Sequence, residues 1–157
     1  MAYGGDMGRP RGFDEDEVVR AAVTLFGRQS FAGTSVDDLV SHLGVHRGSL
    51  YKTFGSKRGL YLAALRQHVD RDVTAAAEVF AAADDVDEAV RRITDAGPDL
   101  GLLLLALVER APVDAEVAAE TTRALARLRD ARAELDRALG LLVRTRATGP
   151  APEFVGE

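Results

Sequence analysis

Thr34 to Lys57 reads TSVDDLVSHLGVHRGSLYKTFGSK, and the fold class turns on how this stretch divides. Ser35 stands ahead of Val36, Leu39, Val40 and Leu43, with Asp37 and Asp38 in the first turn, the pattern of a capped helix with one apolar face. Gly44 fits a bend where the backbone needs positive φ. A further helix then runs from about His46 to Thr53, with Leu50 and Phe54 as core anchors. That leaves Arg47, Gly48, Ser49, Tyr51 and Lys52 for the other face. Gly55-Ser56-Lys57 ends this helix and starts the next, with Ser56 as its cap. Two short helices around a glycine turn, exposing a cation, hydroxyls and a residue with no side chain, suit entry into a DNA major groove.

Charge points the same way. No Asp or Glu lies between Leu39 and Val69, while Arg47, Lys52, Lys57, Arg58 and Arg66 all fall there. The net charge of −5 opposes DNA binding only until it is divided. Residues 1–72 hold ten Lys/Arg against nine Asp/Glu, and residues 73–157 hold ten against sixteen, giving +1 and −6. A local basic footprint matters more to a polyanion than the total. The amides of the turn after Ser56, with Lys57, form a ready phosphate site. Arg58 puts a cation where the helix dipole prefers an acid, which makes sense if an external anion binds there.

Working outward, residues 1–12 are glycine-rich and carry Arg9-Pro10-Arg11, which reads as a flexible basic arm or a plain loose terminus. Asp14 caps the first helix, with Glu17 placed for a capping box and Phe13 and Val18 for a hydrophobic staple. Val18, Ala21, Ala22, Leu25 and Phe26 form its buried face, and it should stop near Gln29 with Gly33 supplying the turn. Beyond Lys57, Leu62, Leu65, Val69, Val73, Ala76 and Phe80 recur at helical spacing, so a long helix reaches about Ala83. A short helix over Val86 to Ala96, an apolar one over Asp99 to Arg110, and a long one from the Asp114 cap to about Thr145 complete the chain. The last carries a seam of Val117, Thr121, Leu125, Leu128, Leu135, Leu139 and Leu142. Leu100, Leu102 to Leu105, Leu107 and Val108 are expected to be packed core rather than pocket lining.

Composition bounds what this can be. With 157 residues, 46% hydrophobic and 29% charged, the chain is long enough for a real core and belongs to the soluble globular class. Abundant Ala, Leu and Arg favour an all-α fold. The absence of cysteine excludes disulfides, thiolate zinc sites and thiol catalysis. The N-terminus lacks an apolar signal core, and Leu102 to Val108 is too short to span a bilayer, so a cytoplasmic, nucleoid-associated protein with no membrane partner is expected. His42 and His46 flank the turn and His68 is remote, so no metal site or cofactor is expected. No phosphate-cradling glycine loop, acid pair or serine–histidine arrangement indicates an enzyme.

The division that follows is a flexible arm at 1–12, a three-helix DNA-binding unit at 13–58, a helical regulatory and dimerisation part at 59–147 joined through a long linker helix, and a flexible tail at 148–157. Thr34-Ser35-Val36, Leu39, Gly44-Val45, Gly48-Ser49-Leu50-Tyr51, Phe54, Ser56-Lys57 and Leu60 together resemble the DNA-binding domain of the TetR family of bacterial repressors. The resemblance is close over about Gly8 to Arg71, and beyond that it is one of architecture.

What the resemblance implies is a homodimer of all-α subunits that binds double-stranded DNA at a palindromic operator and represses until a small ligand enters the C-terminal core. Carried over by position, Thr34, Ser35, Tyr51 and Lys57 contact phosphates, with Arg58 raising phosphate affinity. Val45, His46, Arg47, Gly48, Ser49 and Lys52 line the groove. His46 stands where the family commonly has a serine cap, and Arg58 where an acid is frequent. If an effector binds it is expected to be small and apolar, because only Phe80 and Phe154 are aromatic after residue 72 and no polar cluster is evident. The family usually continues with two more helices that build the dimer interface, where here a Pro/Gly tail follows. Truncation, a naturally short member and dimerisation through another surface stay open. The rival reading is a helical interaction module or heterodimer partner that has lost DNA binding.

Overall fold

The computed structural model describes residues 13–147, with side chains described as far as Ala133 apart from Arg132. The arm at 1–12, the tail at 148–157 and the seam positions Leu135, Leu139 and Leu142 lie outside the described residues or side chains. The described part is helical throughout, and its order is α1 (Glu15–Gly33), α2 (Val36–Leu43), α3 (Arg47–Phe54), α4 (Lys57–His68), α5 (Thr74–Ala82), α6 (Val86–Ala96), α7 (Gly101–Leu105) and α8 (Ala115–Ala147). Two π turns interrupt it, Val69–Val73 joining α4 to α5 and Ala106–Arg110 extending α7.

Caps explain most boundaries. Asp14 Oδ1 accepts from the amides of Asp16 and Glu17, closing the start of α1. Ser35 and Asp38 exchange bonds as a full capping box at α2, and Gly44 ends that helix at φ 64°. Ser56 Oγ accepts from the Gly59 amide at α4, and Asp85 Oδ1 from the Glu88 amide at α6. His46 stands at the cap of α3 without a side-chain bond, as a poor capping residue should.

The end of α1 differs from expectation. Ser30, not Gly33, makes the turn, with φ 65° and ψ 171° inside the helical span. Its Oγ accepts from the Gly33 amide, and its carbonyl accepts from Thr34 Oγ1 at 2.6 Å. Local side-chain bonds of this kind compete with helix continuation.

The expected single helix from Lys57 to about Ala83 is a continuous rod with one irregularity, the π turn at Val69–Val73. A π turn widens the ladder and leaves carbonyls in need of donors. The Val69 carbonyl finds them in Arg127 Nη1 at 2.9 Å and Thr74 Oγ1 at 3.3 Å. The α4 part of the rod packs on α1, and the α5 part on α8 and α6.

One apolar core runs through the described residues. It joins Val18, Ala22, Leu25 and Phe26 of α1 to Leu39, Leu50, Leu60 and Leu65, and onward to Val73, Leu102, Leu103, Ala106, Val117 and Ala124. The reading unit therefore shares its interior with the second half. Of the apolar α7 stretch, Leu102 and Leu103 are buried as expected, but Leu104 and Val108 are exposed at 61% and 81%. No helix among the described residues is long and apolar enough to cross a membrane.

Asp114 ties α8 to α4. Its carboxylate, 4% exposed, takes two bonds from Arg58 at 2.7 and 2.8 Å and one from Arg110 at 3.2 Å. It also caps α8 through the Glu116 and Val117 amides. The Arg58 guanidinium holds the Asp114 carboxyl well below the usual carboxylate range. A depressed folded-state value adds stability that is present above the unfolded carboxylate value and is lost as pH falls toward the folded one. Asp114→Asn should therefore lower Tm by about 5 °C at neutral pH, the order expected for one lost interaction of this kind. The difference from wild type should shrink as pH drops below about 4, which thermal melts across pH would show.

Candidate nucleic-acid interface

α3 carries cations and no acid, and most of its residues are exposed. His46, Arg47, Gly48, Tyr51 and Lys52 are exposed, Ser49 is half-buried, and Leu50 is fully buried beneath them. A side chain grafted onto Gly48 would meet nothing within 4 Å, so the helix surface there is flat and open. Phe54 anchors the end of α3 by stacking on Phe13, with centroids 6.3 Å apart.

Three expected contact residues are placed otherwise. Thr34 is fully buried, its hydroxyl spent on the Ser30 carbonyl, so its side chain shapes the entry to α2 and cannot reach a phosphate. Val45 is 8% exposed and belongs to the core, so it supports α3 from below. Arg58 meets its anion within the chain, through Asp114 and Glu116. The dipole mismatch at the start of α4 is thus answered by acids from the start of α8.

The window that is acid-free in sequence is not acid-free in space. Arg66 pairs with Glu116 and Glu120 of α8 at 3.4 and 3.0 Å. Arg47 pairs with Asp37 of α2. The Lys57 ammonium lies 4.2 Å from the centroid of the Phe31 ring, and its burial there lowers its pKa. Among the described residues Lys52 has no ion-pair partner. Asp37, Asp114, Glu116 and Glu120 were absent from the sequence-derived site. The one available signal was Arg58 itself, a cation in a first turn that calls for an anion without saying where the anion comes from.

These pairs differ in what they leave for DNA. Arg47 and Asp37 are 54% and 84% exposed in their side chains, and exposed pairs are worth about 0–1 kcal/mol. A bidentate contact to guanine is worth about 1–3 kcal/mol, so the exchange favours DNA. Arg58 faces a nearly buried carboxylate through two bonds and is committed to the fold. Ser35 is exposed with its hydroxyl tied to Asp38, whose carboxyl the Ser35 bonds hold below the usual range. No cluster of residues suited to a metal occurs among the described residues.

Residues 18–64 match the family described as "Bacterial regulatory proteins, tetR family". Over 134 residues the chain is 36% identical to the HTH-type transcriptional regulator YezE of Bacillus subtilis, spanning 80% of this chain and 69% of that one. The chain belongs to the TetR family. This TetR-family chain is a DNA-binding transcriptional regulator, as its matched relatives are named. It is also 32% identical over 108 residues to the HTH-type transcriptional repressor BdcR of Escherichia coli, covering 62% of this chain and 54% of that one. The fold is similar to that of the TetR-family regulator PfmR from Thermus thermophilus, with a TM-score of 0.56 at 24% identity over 80% of this chain and 70% of that one.

Proposed function

We propose that this TetR-family regulator represses transcription as a homodimer on a two-fold symmetric operator, reading bases with the open face of α3. The supporting observation is that face itself: Arg47, Gly48 and Lys52, with His46 at its N-terminus, exposed beside a half-buried Ser49 on a helix without acids over a buried Leu50. Tyr51, Lys57 and Ser35 flank it as the phosphate-side residues. The division into a reading unit at 13–58 and a regulatory part at 59–147 belongs to the same proposal. Repression is the role named for the relatives BdcR and ComR.

A dimer follows from the need for two reading heads on a symmetric site. The exposed side chains of Leu104, Val108, Val113 and Leu125 support it, because a second copy would cover apolar surface that is otherwise wet. If a small effector binds, one opening beside α7 offers it apolar side chains, Val23 and Leu102, as well as polar ones. A cavity of about 260 Å³ between α1, the rod and α7 is lined by Arg20, Thr24, Gln67, Arg71, Asp72 and Asp99 among others.

Selection of bound duplexes from random DNA, with the stoichiometry measured on the best, tests this reading. A palindrome bound by two chains is expected; no enrichment at low salt would end it. On the selected duplex, Lys57→Ala should weaken binding to all sequences and reduce the salt slope by about one, because one phosphate contact is lost. Arg47→Ala should instead flatten the preference between operator variants, at about 1–3 kcal/mol. Equal loss on every sequence in both variants would contradict the division of roles.

A further inference from the structure

The turn between α1 and α2 is held from outside the reading unit. Glu109, in the π turn at Ala106–Arg110, places both carboxylate oxygens on it: Oε2 accepts from the Phe31 amide at 2.8 Å and Oε1 from the Ala32 amide at 2.6 Å. This is the turn that begins with Ser30, the one non-glycine residue at positive φ among the described residues. Backbone in that region persists only where its surroundings enforce it. A carboxylate accepting two adjacent amides is a strong, charge-assisted way to do so.

The neighbouring groups converge on the same place. The Arg110 guanidinium lies 4.6 Å from the Phe31 centroid, and Lys57 lies over the same ring. Phe31 in turn meets Tyr61 of α4 edge-on at 5.0 Å. Arg110 also bonds Asp114, which holds Arg58 at the start of α4. The turn before α2 is thus held by Glu109 directly, and the entry to α4 by Asp114, which the next residue of the π turn, Arg110, also bonds. A π turn carries one extra residue, and a shift of that residue along the chain would swing Glu109 by about 100° away from the amides.

We infer that Glu109 is a positioning residue for DNA binding, the joint through which the state of α7 and its π turn sets the aim of α2 and α3. The inference rests on the DNA-binding role stated above. Coupling between two sites is reciprocal, so DNA bound at α3 must alter α7 as much as α7 alters DNA affinity. Glu109 touches no phosphate in this scheme, so it acts on geometry and not on the counterion balance.

Amide hydrogen exchange of the full chain, with and without the selected duplex, tests this. In wild type, DNA should slow exchange over 47–54 and also over 101–110. Glu109→Ala should bind the duplex about 10-fold more weakly, within the usual coupling range, with an unchanged salt slope. In that variant DNA should still protect 47–54 but no longer 101–110. Glu109→Gln, which keeps the size and one acceptor oxygen, should fall between the two and serves if the alanine variant does not fold. Wild-type affinity in both variants, or DNA-induced protection of 101–110 that persists in them or is missing in wild type, would overturn the inference. Failure of the DNA-binding role would look different, as no protection over 47–54 in any of the three proteins.

Discussion

Gly59→Ala is expected to be the most damaging single methyl group that can be added to this protein. A Cβ at Gly59 would sit 1.9 Å from the carbonyl oxygen of Phe54, a backbone atom that no side-chain rotation can move. Gly59 is in the first turn of α4, and its own amide is bonded to Ser56 Oγ, so the turn cannot swing aside without losing its cap. Either α3 and α4 separate or the cap opens. We expect a loss of about 3 kcal/mol or more, at the upper end for overpacking. Against a typical total of about 5–15 kcal/mol that is a large fraction. Urea unfolding would measure it, and a variant within about 0.5 kcal/mol of wild type would show that the α3–α4 junction is not as close as described.

Gly48→Leu should do the opposite to stability and far more to function. The position is in the first turn of α3, exposed, and free of neighbours within 4 Å, so the added side chain meets only solvent in the free protein. Glycine in a helix interior costs about 0.5–1 kcal/mol relative to alanine, and part of that applies in a first turn, so the variant should melt at or slightly above wild type. On DNA the same side chain would stand between α3 and the base edges. Holding the helix off the groove would sacrifice its base contacts together, and a loss of about 100-fold, near 3 kcal/mol, is expected. Gly48→Ala should lose less, graded with side-chain size. Thermal melts and duplex titrations on the same samples separate the two effects. Wild-type affinity for Gly48→Leu would mean that α3 does not enter the groove at this face.

The contrast between these glycines shows where sequence reading succeeds. Gly44 at φ 64°, the Ser35, Ser56 and Asp114 caps, and the apolar faces of α1 to α3 all follow from residues within one or two turns of each other. Such signals are local, and the chain obeys them. Gly59 matters only because α3 ends with its carbonyl aimed at α4, which no spacing rule states. Ser30 takes the turn expected at Gly33, held there both by its own bonds to Gly33 and Thr34 and by Glu109, nearly eighty positions away, on the amides that follow it.

The site itself was half legible for the same reason. The exposed face of α3 came from helical periodicity around Leu50. The pairing of Arg58 with Asp114 and of Arg66 with Glu120 joins residues more than fifty positions apart. A stretch without acids says nothing about acids folded against it. Thr34 and Val45 were assigned outward from their resemblance by position, and burial decides otherwise.

The π turn at Val69–Val73 has a consequence for how the two halves are set against each other. It amounts to one extra residue in an otherwise continuous rod, and one residue is about 100° of helical phase. Ahead of it, Leu62 and Leu65 are buried in the part of the rod that packs on α1. After it, Ala76 is buried in the part that packs on α8 and α6. An uninterrupted α-helix would bind both partners to a single phase, so moving one around the rod would move the other. Here separation along the rod and angle around it are set independently: helical length governs the first and the inserted residue the second.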